Sequence, residues 1–235
     1  MRTKILYEDE DILVVRKPAG IAVQTGHIGQ QDVESELKNH LAKASGSTGG
    51  SPYLGVIHRL DQPVEGLLVF AKNKKAAAAL SAQLTEGDFC KEYTAAVWDG
   101  PEIEHKEGTL INFLTKEGNR ALIREKAGSA DAKRAVLHYT ELAHTAVEGG
   151  KISLLRIRLE TGRFHQIRAQ LSYAGMPILG DRAYGSSESL AFSENLGINR
   201  PALCAGHLIF YHPVTGAEME YRTDSDNPAF SIFDV

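Results

Sequence analysis

The sequence predicts an α+β fold with a mixed, mainly antiparallel central sheet and a few flanking helices. Three observations favour this class. Segments with strand patterns dominate the chain, helical segments are few, and neighbouring strands are often joined by turns. A regular alternation of strands and helices would instead indicate a doubly wound parallel sheet, and the chain lacks that alternation.

The first half of the chain contains four predicted strands. Residues 12–15 form a short apolar run that ends at the turn signal KPAG, and residues 54–57 and 67–71 form two further apolar runs. Short apolar runs bounded by Gly and Pro are typical of buried strands. Residues 91–98 alternate apolar and polar side chains, which indicates a strand with one face in the core.

The second half adds a hairpin and several more strands. Gly118-Asn119 marks the turn of a hairpin within residues 109–142, and a further strand completes that segment. Residues 151–160 alternate strongly between apolar and polar side chains. Residues 202–211 and 218–222 are predicted as the last strands.

Three segments have helical patterns. Apolar residues recur at four-residue spacing in residues 32–44, and residues 74–85 are rich in alanine. A third helix is predicted to begin near Thr161 and to end at Gly175. The glycine- and serine-rich residues 45–52 between the first helix and the next strand are predicted as a surface loop.

The third predicted helix has an apolar face that we expect to be buried, and an arginine lies beside that face. Phe164, Ile167 and Leu171 share one face at helical spacing, and Arg168 flanks that face. An arginine in such a place either extends its charged end to solvent or meets an anion. The segment by itself leaves these two alternatives open.

Composition limits the class of protein. The chain has 235 residues, 43% of them hydrophobic, a formal net charge of −4 and two cysteines. We expect a cytoplasmic protein, because the acidic N-terminal segment does not resemble a signal peptide and no apolar run is long enough to cross a bilayer. The negative net charge counts modestly against a nucleic-acid partner, but local charge decides such binding. Basic residues do gather in the middle of the chain, at Lys72, Lys74, Lys75, Lys133, Arg134, Arg156, Arg158, Arg163 and Arg168.

Asp61 is the first candidate for chemistry. It lies two residues after Arg59, just past the end of one apolar strand and shortly before a second. A carboxylate at the end of two buried strands is costly unless it has a function there. Asp61 is therefore predicted to lie in a functional site.

Other chemistries have weaker support. His58, His165, His207 and His212 do not occur at metal-ligand spacing, and we expect them to be structural polar groups. The chain has no Gly-x-Ser-x-Gly elbow, and the glycines of residues 46–50 lack the Lys-Ser/Thr of a phosphate-binding loop. We therefore expect no metal and no cofactor.

Four segments, in this order, carry a resemblance to a known family. They are YEDEDILVVRKPAG (residues 7–20), HRLDQPVEGLLVFAK (58–72), KEY (91–93) and GRFHQIR with GMPILGD (162–168 and 175–181). The chain resembles the RluA-type pseudouridine synthases over nearly its whole length. This resemblance implies a sheet of the pseudouridine synthase type and one catalytic domain over residues 1–235, with no separate N-terminal RNA-binding domain.

The resemblance also implies a reaction. Members of the family convert uridine in RNA to pseudouridine: the N-glycosidic bond breaks, the uracil turns, and a carbon–carbon bond forms. The overall reaction is an isomerisation, so it requires no cofactor. The implied partner is RNA, either ribosomal or transfer RNA, and no membrane partner is expected. We expect a monomer.

Roles for four residues follow from the resemblance. Asp61 corresponds to the catalytic aspartate, which attacks the sugar or the base or deprotonates the sugar. Arg168 corresponds to the arginine that pairs with it. Tyr93 corresponds to the tyrosine that stacks on the target uracil, and Arg59 to the arginine that enters the helix where the base has flipped out. Without the resemblance, Tyr93 would be a core tyrosine and Arg59 a simple partner of Asp61.

The sequence departs from the family pattern next to the catalytic position. Val64-Glu65 stand where the family commonly has Thr-Ser. A carboxylate at Glu65 would repel Asp61 if it faced the same cleft, and we expect it to point away.

Two other classes of function are alternatives to an RNA-modifying enzyme. One is a non-catalytic RNA-binding relative acting in ribosome assembly, for which an intact Asp61, Tyr93 and Arg168 would be unnecessary. The other is a small-molecule hydrolase with an aspartate nucleophile, for which the chain lacks a metal motif or a leaving-group acid. Salt-sensitive RNA binding separates the hydrolase from the two RNA-binding classes.

Overall fold

A computed structural model describes residues 1–26, 29–45, 50–99, 106–124, 126 and 131–233. The chain divides into two compact units: the first comprises Met1–Lys91 and Ala205–Asp224, and the second comprises Glu92–Cys204 and Ser225–Val235. The single catalytic domain over the whole chain stays a prediction. Residues 46–49, half of the loop predicted over residues 45–52, lie outside the described residues.

The secondary structure confirms the predicted α+β class. The strands are β1 (Lys4–Glu8), β2 (Ile12–Lys17), β3 (Gly55–Val56), β4 (Glu65–Ala71), β5 (Cys90–Asp99), β6 (Glu107–Glu117), β7 (Arg120–Arg124), β8 (Lys133–Val147), β9 (Gly150–Leu159), β10 (Leu203–Tyr211) and β11 (Glu218–Arg222). The helices are α1 (Val33–Ser45), α2 (Lys74–Glu86), α3 (Gln166–Tyr173) and α4 (Ser187–Asn195), and a short 3-10 helix spans Pro228–Ile232.

The first unit is built around β4. This strand lies between β2 and β10, and β1 and β11 extend the sheet on either side. All seven residues of β4 are buried, which explains why residues 67–71 of this strand are a continuous apolar run rather than an alternating one. Helix α2 begins where the Asn73 side chain accepts a hydrogen bond of 2.8 Å from the backbone N–H of Ala76.

Gly66, at the start of β4, permits a close approach between strands. Its φ is +133°, and a Cβ atom built there would lie 2.6 Å from the backbone nitrogen of Ala205 on β10. Any side chain at position 66 would clash with that backbone. The glycine that follows the Asp61 segment is therefore required by packing.

The second unit is an antiparallel sheet in the order β5-β9-β8-β6-β7. The predicted hairpin is confirmed: Glu117 pairs with Arg120 across a turn in which Gly118 has φ +56°. Helix α3 packs against β6 and β7. The core there includes Leu114, Ala135 and Ala169.

Three of the described elements were not predicted from the sequence: β1, α4 and the short 3-10 helix. Ser186 caps α4 by accepting a hydrogen bond from the N–H of Ser189. Helix α4 packs through Phe192, whose ring centroid lies 5.3 Å from that of Trp98 on β5. Its sequence has no regular apolar stripe, so its helical state depends on this cap and this contact.

Among the residues that the structure describes, no helix has the length and apolar character needed to span a bilayer.

Candidate active site

Asp61 lies in the turn that leads into β4. The turn is closed by a hydrogen bond of 3.1 Å from the N–H of Val64 to the carbonyl oxygen of Asp61. A second backbone bond, 2.8 Å from the N–H of Gly20 to the carbonyl of Gln62, joins the turn to the segment after β2. Asp61 is half-buried and Arg59, two residues earlier, is exposed. Both predicted residues therefore belong to the first unit.

The buried Lys17 ammonium ties the Asp61 turn together. Lys17 is fully buried, and its Nζ donates to the carbonyl oxygens of Pro18, Gln62 and Val64 at 3.0, 3.0 and 2.6 Å. Two of these acceptors belong to the turn itself. Three carbonyl acceptors satisfy the three donors of an ammonium group, which is what a buried lysine requires.

Lys17 also brings a positive charge towards Asp61. Burial lowers the pKa of Lys17 to about 7, while the negative charges of Asp61 and Glu65 act in the opposite direction. Sequence reasoning noticed Lys17 only as part of a turn signal. A lysine directly before proline at the end of an apolar strand was the signal that could have marked it.

Glu65 is paired with a cation. Its side chain is buried, and an Oε2 atom lies 3.6 Å from Nη2 of Arg16 on β2. Arg16 also donates to the carbonyl oxygen of Asp224 at 3.2 Å. The carboxylate that departs from the family pattern is therefore balanced by a neighbouring arginine.

His58 is a buried group with one hydrogen-bonded nitrogen among the described residues. Its Nε2 accepts from the N–H of Val69 at 3.4 Å, whereas Nδ1 has no hydrogen-bond partner there. The ring packs edge-on against Phe89 with centroids 5.2 Å apart. Burial, and then the charge of Lys91, lowers the pKa of His58 well below its ordinary value. His58 is therefore a neutral core residue.

Arg168 is held rigidly in the second unit. It is 5% exposed and lies on α3. Its Nε and Nη2 donate to the two carboxylate oxygens of Asp181 at 2.7 and 2.8 Å. Its Cζ lies 5.0 Å from the ring centroid of Tyr184. Such a two-point pair fixes both the position and the plane of a guanidinium group.

Asp181 is a residue that sequence reasoning missed. It is fully buried and was quoted only as the last residue of the GMPILGD segment. Gly180 before it, with φ +73°, passes so close to the backbone of Arg200 that a side chain there would clash. This packing places the Asp181 carboxylate against the guanidinium of Arg168, although the two residues are 13 positions apart in the chain.

The predicted start of the third helix is wrong. Helix α3 begins at Gln166, and residues 161–165 form a loop in which His165 has φ +50°. The Gln166 side chain holds this loop by accepting hydrogen bonds from the Thr161 hydroxyl at 2.8 Å and the Arg163 N–H at 3.0 Å. These two hydrogen bonds pair polar groups of the loop with the Gln166 side chain, so the backbone hydrogen bonds of the helix begin later in the chain.

The later start changes the environment of Phe164. The buried face expected for the helix does include Ile167 and Leu171, which are 5% and 0% exposed. Phe164 is 39% exposed, because it lies in the loop and not on the helix.

Tyr93 lies on β5 in the second unit. It is 6% exposed and stands opposite Ile157 of β9. The four predicted site residues are thus divided between the two units, with Arg59 and Asp61 in the first and Tyr93 and Arg168 in the second.

One cluster in the described part of the chain has the composition of a metal site. Atoms of Asp9, Asp11 and His212 lie within 4.8 Å of one another. Nδ1 of His212 accepts from the Thr215 N–H at 3.1 Å, so Nε2 carries the proton and donates to Asp9 at 2.8 Å. The other Asp9 oxygen accepts from the N–H of Ile12. These atoms are already engaged in hydrogen bonds, and the set does not fit a metal ion.

Comparison with known proteins identifies the class. A family model described as RNA pseudouridylate synthase matches residues 11–173. A ribosomal large subunit pseudouridine synthase D of Zymomonas mobilis is 36% identical over 94% of this chain and 68% of that protein. An uncharacterized RNA pseudouridine synthase, YlyB of Bacillus subtilis, is 35% identical over 94% of this chain and 69% of that protein.

Solved structures agree on the fold. The human RNA pseudouridylate synthase domain containing 4 has a TM-score of 0.74 at 23% identity, and the match covers 97% of this chain and 90% of that chain. The family match and the curated relatives make the chain an RNA-modifying isomerase. It belongs to the RluA-type family of RNA pseudouridine synthases.

Proposed function

We propose that this enzyme converts specific uridines of a structured ribosomal or transfer RNA to pseudouridine, with Asp61 as its catalytic residue. The observation that carries this proposal is the anchoring of the Asp61 turn by the buried Lys17 ammonium. A relative named for the ribosomal large subunit supports a ribosomal substrate.

The proposed role of Asp61 is that of the reacting carboxylate. In the reaction, the bond between N1 of uracil and the sugar breaks, the base turns, and a bond from C5 to the sugar forms. C5 then loses its proton and N1 gains one, so that the product is an isomer of the substrate. Asp61 serves as a nucleophile towards the sugar or the base, or as the base that deprotonates the sugar. Lys17 does not react in this scheme: it holds the backbone of the turn, and its charge attracts the carboxylate.

Arg168 is proposed as the charged partner of the catalytic carboxylate, as the family resemblance implies. Its bidentate pair with Asp181 supports this role, because two hydrogen bonds to one carboxylate fix both the position and the plane of the guanidinium group. A planar group whose orientation is already fixed loses little entropy when it binds a second anion.

Arg59 and Tyr93 are proposed as substrate-binding residues. The exposed side chain of Arg59, two residues before Asp61, would fill the stack that the flipped uridine leaves. Tyr93 would contact the extruded uracil ring with its aromatic face. Both roles follow from the matched family segments.

An assay on natural RNA tests the catalytic assignment. RNA from a strain that lacks the gene is incubated with the purified enzyme, and pseudouridines are mapped along it. We expect the wild type to convert specific uridines and Asp61→Asn to convert none while still binding RNA. Asp88→Asn, which alters an exposed aspartate of the same unit, serves as the control and should retain activity. Conversion by Asp61→Asn would refute the assignment.

The same experiment addresses the alternative of a non-catalytic RNA-binding relative. That alternative predicts RNA binding with no conversion by the wild-type protein. We also propose a cytoplasmic monomer, which light scattering during size-exclusion chromatography and fractionation of cells will test.

A further inference from the structure

The aromatic ring of Phe164 is exposed at a place where the surrounding structure holds it firmly. Single exposed apolar residues are common on protein surfaces and have no meaning alone. Phe164 differs because its ring stacks on that of His165, with centroids 3.7 Å apart and planes at 20°. The exposed ring therefore has a rigid support beneath it.

His165 is itself fixed by Tyr184. The Tyr184 oxygen accepts a hydrogen bond of 2.6 Å from the N–H of Ala121, and it shares a second hydrogen bond of 3.0 Å with Nδ1 of His165. The two rings also meet edge-on at 5.7 Å and 85°. His165 adopts a left-handed backbone with φ +50°, which is unfavourable for a residue with a side chain. Several contacts thus hold a single ring orientation.

A flexible cation accompanies the fixed ring. Nζ of Lys116, near the tip of the β6–β7 hairpin, lies 4.7 Å from the Phe164 ring centroid. Arg163, the residue before Phe164, is exposed and donates to the carbonyl of Arg134 at 3.0 Å. An exposed aromatic face beside cations suits a nucleotide, whose base stacks while its phosphate meets the positive charge.

We propose that Phe164, supported by His165 and flanked by Lys116, is a stacking platform for an unpaired RNA base other than the target uridine. The base lies on the exposed part of the ring. The Lys116 ammonium moves on its flexible side chain from the ring to the phosphate of that nucleotide. Tyr184 contacts both His165 and Arg168, so the platform shares its support with the proposed partner of the catalytic carboxylate.

Variants of Phe164 separate stacking from simple apolar packing. The probe is a fluorescein-labelled single-stranded 12-nucleotide oligoadenylate, and its Kd is measured by anisotropy at fixed salt. We expect Phe164→Ala and Phe164→Leu to raise Kd by about 5- to 150-fold, the contribution of one stacked base. Phe164→Trp should bind at least as tightly as the wild type. Ile111→Ala, a change at a residue that is 55% exposed in the same unit, is the control and should leave Kd unchanged.

The salt dependence tests the role of Lys116. Lys116→Ala should reduce the slope of log Kd against log salt by about 0.7, whereas Phe164→Ala should leave the slope unchanged. Thermal unfolding of each variant verifies that it is folded. If Phe164→Leu binds the oligonucleotide as tightly as the wild type, or if Phe164→Trp binds as weakly as Phe164→Ala, the platform does not exist. Loss of uridine conversion by Asp61→Asn is a separate result, so failure of one proposal does not imply failure of the other.

Discussion

The ammonium of Lys17 donates a hydrogen bond of 2.6 Å to the carbonyl oxygen of Val64, in the turn that carries Asp61. Val64 is three residues after Asp61 and immediately precedes β4. A charge buried beneath the backbone of this turn stabilises one conformation of it. If Asp61 is the catalytic residue that we propose, Lys17 is a positioning residue, and its effects should differ from those of a residue that touches RNA.

Lys17→Met should lower kcat by about 100-fold, because a small displacement of a reacting group has an effect of that size. The Kd for RNA should change little, since Lys17 is buried and makes no surface contact. Single-turnover conversion and RNA binding measure the two quantities. Lys75→Met, at an exposed lysine on α2, is the control, and partial rescue by Lys17→Arg would support a requirement for positive charge. A variant that loses RNA affinity but keeps kcat would contradict the positioning role.

Lys17 should also make the stability of the protein depend on pH. Burial lowers its pKa from 10.5 to about 7 in the folded protein, so between these values the unfolded chain binds a proton that the folded protein has released. The free energy of unfolding should therefore rise with pH in this range and lose that contribution as pH falls through about 7.

Urea unfolding at several pH values measures this effect. The wild-type slope should exceed that of Lys17→Met by up to about 1.4 kcal/mol per pH unit between about pH 7 and pH 9. Parallel curves for the two proteins would show that Lys17 titrates at its ordinary pKa.

Asp181→Asn should destabilise the protein strongly. The substitution removes the ionised carboxylate that holds the buried guanidinium of Arg168 at two points, and breaking a buried pair in this way costs about 3–5 kcal/mol. The free energy of unfolding in urea provides the measurement. Asp131→Asn, at an exposed aspartate of the same unit, should have almost no effect. A loss below about 1 kcal/mol for Asp181→Asn would mean that the pair is dispensable.

Gly66→Ala should reduce stability by about 2–6 kcal/mol, from backbone strain and from the clash with Ala205. Gly162→Ala is a matched control within another family segment. Unlike Gly66, Gly162 has no positive φ and no neighbouring atom within 4 Å of the Cβ position. Equal unfolding curves for the two variants would refute the packing argument for Gly66.

Much of the fold could be predicted because its strands have strong local patterns. The alternation of residues 151–160 and the Gly118-Asn119 turn correctly predicted β9 and the β6–β7 hairpin. Helix α4 lacks such a pattern, and it was missed. The third predicted helix began too early, because a spacing rule does not detect the side-chain bonds of Gln166 that hold residues 161–165 in a loop.

The sequence by itself determined the family, the reaction class and the candidate residues Arg59, Asp61, Tyr93 and Arg168. This was possible because short motifs and apolar periodicity involve only residues that are close together in the chain. The tertiary structure alone decided which carbonyls the Lys17 ammonium reaches, which carboxylate holds Arg168, and that Phe164 faces solvent. The physical reason is that burial and pairing depend on groups brought together by folding. Lys17 and Gln62, for example, are 45 positions apart in the chain, yet Nζ of Lys17 lies 3.0 Å from the carbonyl oxygen of Gln62.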